Sequence, residues 1–352
     1  MKKQLLFAGL LFGSFFSVNA QVLESNNFNT LTVGNIGTDM TGVTAGQDGW
    51  FTQSSNGAAP TTGTNSGPTN FQVVTSGQSS NGIKIVSSNG NKGSRFMFKA
   101  GMDDAWTART TGNDIIQLEF DFFTGAASTS TAQNGMSIYG VDGASLRIVG
   151  GFAYVPSTKT LSGVAYLTNG ATLGTYLVGL GASAATPIVL EDNTWYRLGV
   201  AYDTTTGEVV WKGPGFNAGI NEANYAGPFQ PERVVFSSAV PTTNAAVSEN
   251  TYDNYVVTAT PTIDLLSTND FAAVSKFSVY PNPSNGLVNI SSDLNSSLNS
   301  VSITDLNGRT VKTVELNGDS SAQVNISDLS AGVYMMNINS DQGSTTKKII
   351  KN

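Results

Sequence analysis

Glu119 and Asp121 stand two residues apart in the run Ile116–Phe123. In an extended strand that spacing puts both carboxylates on one face, about 6.5–7 Å apart along the chain. Paired carboxylates can divide the work of glycoside cleavage, one as acid and the other as base or nucleophile. This pair has no nearby acidic helper, because after Asp121 no acid follows until Asp142. The chain also lacks histidine and cysteine. That excludes Ser-His-Asp triads, Cys-His dyads, histidine-ligated zinc and disulfides. The plain expectation for Glu119 and Asp121 is two solvated acids on an exposed strand face.

Four tryptophans, Trp50, Trp106, Trp195 and Trp211, are ligand-binding candidates, since an indole face stacks on the C–H face of a sugar ring. Core packing competes for the same side chains and takes most tryptophan area. Structural calcium is the one cofactor the sequence suggests. Calcium collects oxygen ligands from Asp, Asn and backbone carbonyls. "MDDAW" (Asp103, Asp104), "EDNTW" (Glu191, Asp192, Asn193) and "YDNY" (Asp253, Asn254) offer such loops, although none has EF-hand spacing. The glycine-rich stretch 213–228 lacks the Gly-Lys-Ser/Thr ending of a phosphate loop and reads as a long rim loop.

These residues need strands to position them. About twelve short apolar or alternating segments, from "FQVVT" at 71 to "NYVVTAT" at 254, are joined by Gly, Asn, Asp and Pro. In Ile116–Phe123 the residues Ile116, Leu118, Phe120 and Phe122 share one face, opposite Gln117, Glu119 and Asp121. Tyr196, Leu198, Val200 and Tyr202 do the same, opposite Trp195, Arg197, Gly199 and Ala201. The turn after Asp203 relies on Gly207 for a positive φ. The pattern predicts an all-β chain, with a two-sheet sandwich over 21–260 and a linker over 261–276. A small seven-stranded β-sandwich is expected over 277–352.

Residues 1–20 read as a signal peptide: Lys2 and Lys3, the apolar run Leu5–Phe16, then Val18-Asn19-Ala20 with cleavage between Ala20 and Gln21. The sequence has no apolar run long enough for a membrane-spanning helix. Residues 21–276 carry 11 basic and 19 acidic groups, a net −8. A surface of that sign has no basic face to displace counterions from nucleic acid, nor to bind anionic lipid. Neutral glycans, cations or proteins remain as partners.

The end of the chain is the most specific stretch. Pro281 and Pro283 flank Asn282 and stop strand pairing, since neither has an N–H to give. Asn285-Gly286 and Asn307-Gly308 provide tight turns. Four motifs follow in order: "YPNP..G" (Tyr280, Pro281, Asn282, Pro283, Gly286), "DL.G" (Asp305, Leu306, Gly308), "GVY" (Gly332, Val333, Tyr334) and "KKIIK" with Lys347 and Lys348. This set resembles the type A C-terminal sorting domain of the Bacteroidota type IX secretion system. The resemblance implies Sec export, recognition by the outer-membrane translocon, removal by a sortase, and a secreted or surface-attached product.

The region before it resembles the concanavalin A-like, laminin-G-like jelly-roll group, through "GQDGWF" (Gln47, Asp48, Gly49, Trp50), "NTWYRLGVAYDTTTGEVVW" and "YDNYVVTAT". Such folds host lectins, glycanases, adhesion modules and spacers. Laminarinase-like members carry E-x-D-x-(x)-E, with the first Glu as nucleophile and the last as acid/base. Glu119-Phe120-Asp121 matches the opening, and Phe123 and Thr124 depart from it. The expected function is therefore non-catalytic glycan binding or adhesion. The alternatives are a glycoside hydrolase or polysaccharide lyase using Glu119 and Asp121, and a structural surface or matrix protein.

Overall fold

The computed structural model describes residues 20–55, 67–78, 80–183, 186–266, 277–292, 298–305, 309–340 and 343–352. The expected signal peptide therefore lies outside the described residues up to position 19. So do most of the linker and the motif residues Leu306 and Gly308.

The first strands in chain order are β1 Gln21–Asn26, β2 Gly34–Asn35, β3 Phe51–Ser55, β4 Phe71–Val74, β5 Gly82–Val86 and β6 Ser94–Phe98. After the short helix α1 (Met102–Thr107) come β7 Ile115–Phe123, β8 Gln133–Asp142, β9 Ser145–Val155, β10 Thr160–Asn169 and β11 Thr172–Gly179. Then follow β12 Ile188–Val189, β13 Trp195–Asp203, β14 Val209–Gly213, β15 Phe216–Gly219, β16 Gln230–Ala239 and β17 Glu249–Thr260. They form two antiparallel sheets. One runs β15-β14-β13-β7-β17-β5-β4-β2, with β1 on β17. The other runs β11-β10-β9-β8-β16-β6-β3, with β12 on β10. The result is an all-β, jelly-roll-like sandwich.

Alternation explains the core. Ile116, Leu118, Phe120 and Phe122 are each at most 1% exposed. They face the second sheet, where Phe120 meets Phe152 at 5.9 Å and Phe122 meets Tyr154 at 5.5 Å between ring centroids. Leu198, Val200 and Tyr202 of β13 join them. Gly207 takes φ +86 in the β13–β14 turn, and the Asp203 carboxylate accepts the Thr205 N–H at 2.7 Å.

The stretch 213–228 is not one loop. β14 and β15 pair as a hairpin around Gly215, at φ +82, and a single 3-10 turn follows at Glu222–Asn224. Its glycines hid the hairpin, because an edge strand with few side chains has little periodicity to read. Helix α1 was also invisible to periodicity, being shorter than two turns.

Beyond residue 276 lie β18 Phe277–Tyr280, β19 Leu287–Ser292, β20 Leu298–Thr304, β21 Thr310–Glu315, β22 Ser321–Asn325, β23 Gly332–Ser340 and β24 Gly343–Lys351. They form a three-stranded sheet, β18-β19-β22, and a four-stranded sheet, β21-β20-β23-β24. Their own apolar cluster includes Val288, Ile290, Val301, Ile303, Met336 and Ile338, and shares no residue with the larger core.

Candidate functional site

Glu119 and Asp121 point to the outer face of the first sheet, as their spacing requires, yet they are not solvated. Glu119 is 4% exposed and Asp121 8%. Arg197 on β13 stands in register with Asp121. It reaches Glu119 Oε2 at 3.3 Å and Asp121 Oδ1 at 3.5 Å. Asn254 donates its amide to Asp121 Oδ2 at 2.8 Å, and its carbonyl accepts from Arg197 at 2.5 Å.

Residues 261–266 cover this cluster. The Asp264 N–H donates to Gln117 Oε1 at 2.8 Å, and the Leu266 N–H donates to Glu119 Oε1 at 2.6 Å. Lys212 Nζ donates to the Leu265 carbonyl at 2.7 Å. Leu265 is 2% exposed and packs on Ile115 and Ala201. Gly199 makes room for this strap, since a Cβ there would lie 3.1 Å from Leu265 Cδ2. The expectation of two open acids is thus corrected: a distant segment lies across that part of the sheet face.

Burial pushes both carboxyls above their ordinary range, against the opposing pull of Arg197. The folded state then binds these protons more tightly than the unfolded one. Their contribution to stability is full below the ordinary carboxyl values and is lost as pH rises through the raised ones. Glu119→Gln keeps the acceptor for Leu266 and removes the titrating group. Its melting temperature is expected to fall less than wild type as pH climbs from 4.5. Identical pH profiles for variant and wild type would refute this assignment.

Three of the four tryptophans belong to the core. Trp50 is 1% exposed and packs edge-on against Phe236 at 5.3 Å. Trp106, 2% exposed, donates its indole N–H to Gln230 Oε1 at 3.1 Å. Trp211 is fully buried and donates to the Gly151 carbonyl at 2.6 Å. Closed packing leaves them no face for a sugar. Trp195 differs. It is half-buried and lies against Phe123, with ring centroids 5.2 Å apart and planes tilted by 40°.

Phe123 went unnoticed as a site residue, although alternation along β7 puts it on the same outer face as Glu119 and Asp121. The strap's contacts lie toward the other end of β7. Phe123 instead lines an open depression of about 440 Å³, together with Val74, Lys84, Ala127, Asn193 and Val247. Lys84 pairs with Glu249 across it at 3.0 Å. The wall bearing Asn193 is held in place by hydrogen bonds. The Asn193 N–H donates to the Gly125 carbonyl at 2.7 Å, and the Thr124 hydroxyl donates to the Glu191 carbonyl at 2.8 Å.

The calcium candidates are not brought together. Asp103 and Asp104 are exposed in the first turn of α1. Asp192 pairs with Lys159 at 2.5 Å. Asp253 is fully buried and accepts the N–H groups of Gln78 and Asn254 at 2.8 and 2.7 Å. Among the described residues, no three acidic side chains converge in a way that could hold a metal ion.

In the small sandwich, the Asn282 side chain joins the first motif to the last strand. Its amide donates to the Lys348 carbonyl at 2.8 Å, and its Oδ1 accepts the Ile350 N–H at 2.8 Å. Ser284 N–H adds a bond to the Ile350 carbonyl at 2.9 Å. Asp305 accepts from the Arg309 N–H at 3.0 Å, and the Tyr334 hydroxyl donates to the Ser330 carbonyl at 2.9 Å. Gly332 and Val333 open β23, while Lys347 and Lys348 lie on β24. Tyr280 is 52% exposed. Residues 278–352 match the family described as the secretion system C-terminal sorting domain.

This segment is a type IX sorting domain. A sorting domain of this kind directs export through type IX secretion, to the cell surface or the medium. No helix among the described residues is long and apolar enough to cross a membrane. No curated protein matches the chain. Solved structures similar to it include alginate lyase vAL-1 from a Chlorella virus, with 11% identity, 68% of this chain and 100% of that one covered, and a TM-score of 0.41. The family 7 alginate lyase A1-II′ with bound substrate gives 10%, 59%, 86% and 0.39 in the same order. Trypanosoma rangeli sialidase gives 14%, 55%, 27% and 0.35, so the chain spans about a quarter of that enzyme's length. At such scores these likenesses carry nothing about activity. The sorting domain is the part of the chain whose family is established.

Proposed function

We propose that the protein is a non-catalytic glycan-binding or adhesive cargo, delivered by its sorting domain to the surface or the medium. In this reading residues 21–260 are the cargo, 261–276 the link and 277–352 the sorting domain. The partners are the type IX translocon, its sortase, and glycans. The observation that carries the binding role is Phe123 lining an open groove, with Trp195 packed against its ring. An aromatic face at an open depression with convergent polar groups is a usual means of holding a sugar ring. Against hydrolysis or lyase chemistry stands the strap, which seals Glu119 away from any substrate.

The test is a glycan array followed by titration. Trp195→Ala and Phe123→Ala are each expected to weaken binding by about tenfold, the weight of ~1.4 kcal/mol, without unfolding the chain. Binding that neither substitution changes would remove this site. New reducing or unsaturated ends from any polysaccharide, lost in Glu119→Gln, would overturn the non-catalytic assignment.

A further inference from the structure

The groove under Phe123 continues past its own rim. Ala127, Ser128 and Val247 line it, and the same three residues line a second open depression of about 670 Å³. They form a saddle between two chambers. The far chamber is walled by Asn89, Pro156, Ser157 and Lys159. On the saddle, Ala127 is exposed and Val247 is 43% exposed, an apolar hump open to solvent.

The saddle is rigidly built. Ser128 Oγ donates to the Val247 carbonyl at 2.6 Å. Asn244, 4% exposed, ties three loops together. Its Oδ1 accepts from the Ser130 hydroxyl and the Thr131 N–H, both at 2.9 Å. Its amide donates to the carbonyls of Ser88 at 2.9 Å and Gly90 at 2.8 Å. A wall fixed in this way loses little entropy when a ligand binds.

Charge is compensated at both ends. Lys84 has Glu249 at 3.0 Å, and Lys159 has Asp192 at 2.5 Å. Neither lysine offers an unspent cation to a uronate or sulfate. Each chamber falls within the range of about 300–1,000 Å³ that encloses a drug-sized ligand, so one sugar ring fills only part of either.

The geometry points to an internal stretch of a neutral polysaccharide as the ligand, lying across the Ala127–Val247 saddle and occupying both chambers. This rests on the glycan-binding reading above. One ring stacks on Phe123 in the first chamber. Later rings cross the hump and hydrogen-bond among Asn89, Ser157 and the exposed backbone. Once the first ring is seated, the next binds as if intramolecularly, so affinity grows with chain length.

The experiment is calorimetric titration of the full chain with cello-, laminari- and manno-oligosaccharides of one to six units. The bound series is expected to gain about tenfold or more in affinity between two and six units. Ala127→Trp, which plugs the saddle at an exposed position, is expected to cancel that gain, so that two-unit and six-unit sugars bind within about twofold of each other. Its melting temperature, unchanged from wild type, serves as the folding control. A two-unit sugar that binds as tightly as the six-unit one would overturn the chain-length inference and spare the glycan reading. So would an Ala127→Trp variant that keeps the long-chain advantage. Tighter binding of oligogalacturonate than of the neutral series would overturn neutrality. Failure of wild type to bind any of these sugars would overturn both this inference and the glycan reading beneath it.

Discussion

Deleting residues 277–352 is expected to leave the remaining chain in the periplasm, with essentially none in the medium or on the surface. The deleted strands carry their own apolar cluster, separate from the core of the larger sandwich. Their loss therefore removes the address without hollowing out that core. The measurement is an immunoblot of periplasmic, outer-membrane and culture fractions. A subtler variant separates address from mere bulk. Asn282→Ala breaks two hydrogen bonds that tie the opening motif to the Lys348–Ile350 stretch, each worth about 0.5–1.5 kcal/mol. Export is expected to drop in that variant while the larger sandwich keeps its stability. Normal amounts of the truncated chain in the medium would mean that the sorting domain does not direct this protein.

Trp211→Ala is expected to destabilise the larger sandwich by about 3–5 kcal/mol, a large share of the roughly 5–15 kcal/mol that holds a domain together. The indole is fully buried, and its N–H satisfies the Gly151 carbonyl on the opposite sheet. Gly163 supplies the flat bed beneath it, since a Cβ there would lie 2.7 Å from Trp211 Cε2. Truncation opens a cavity and strands a carbonyl together. Trp195→Ala removes a half-buried ring that rests on Phe123, so its cost should stay near 1 kcal/mol. Denaturant midpoints of the two variants make the comparison. If Trp211→Ala costs less than about 1 kcal/mol, the indole does not pack between the two sheets.

The two tryptophans show where reading a sequence stops. Both lie on strands, and both compete between core and ligand. Which one the core takes depends on the sheet that stacks on it. Trp211 meets β9 and β10, sixty and forty-eight residues away in sequence, through Gly151 and Gly163. The sorting motifs lie at the opposite extreme. Each does a local backbone job: prolines end a strand, Asn-Gly turns it, and glycine opens the next. Local jobs are legible in local sequence. Their union through Asn282, across sixty-six and sixty-eight residues, is not.

By itself the sequence determined the all-β class, the address at the end, and the inward faces of β7 and β13. Backbone pleating fixes alternation residue by residue, whatever lies elsewhere. It could not determine the fate of the outward faces. The same alternation sends Gln117, Glu119, Asp121 and Phe123 outward. Only the tertiary structure seals the acids under residues 261–266 and leaves Phe123 open beside Trp195. A side chain's direction is a property of its own strand, whereas its exposure belongs to whichever remote segment settles over it.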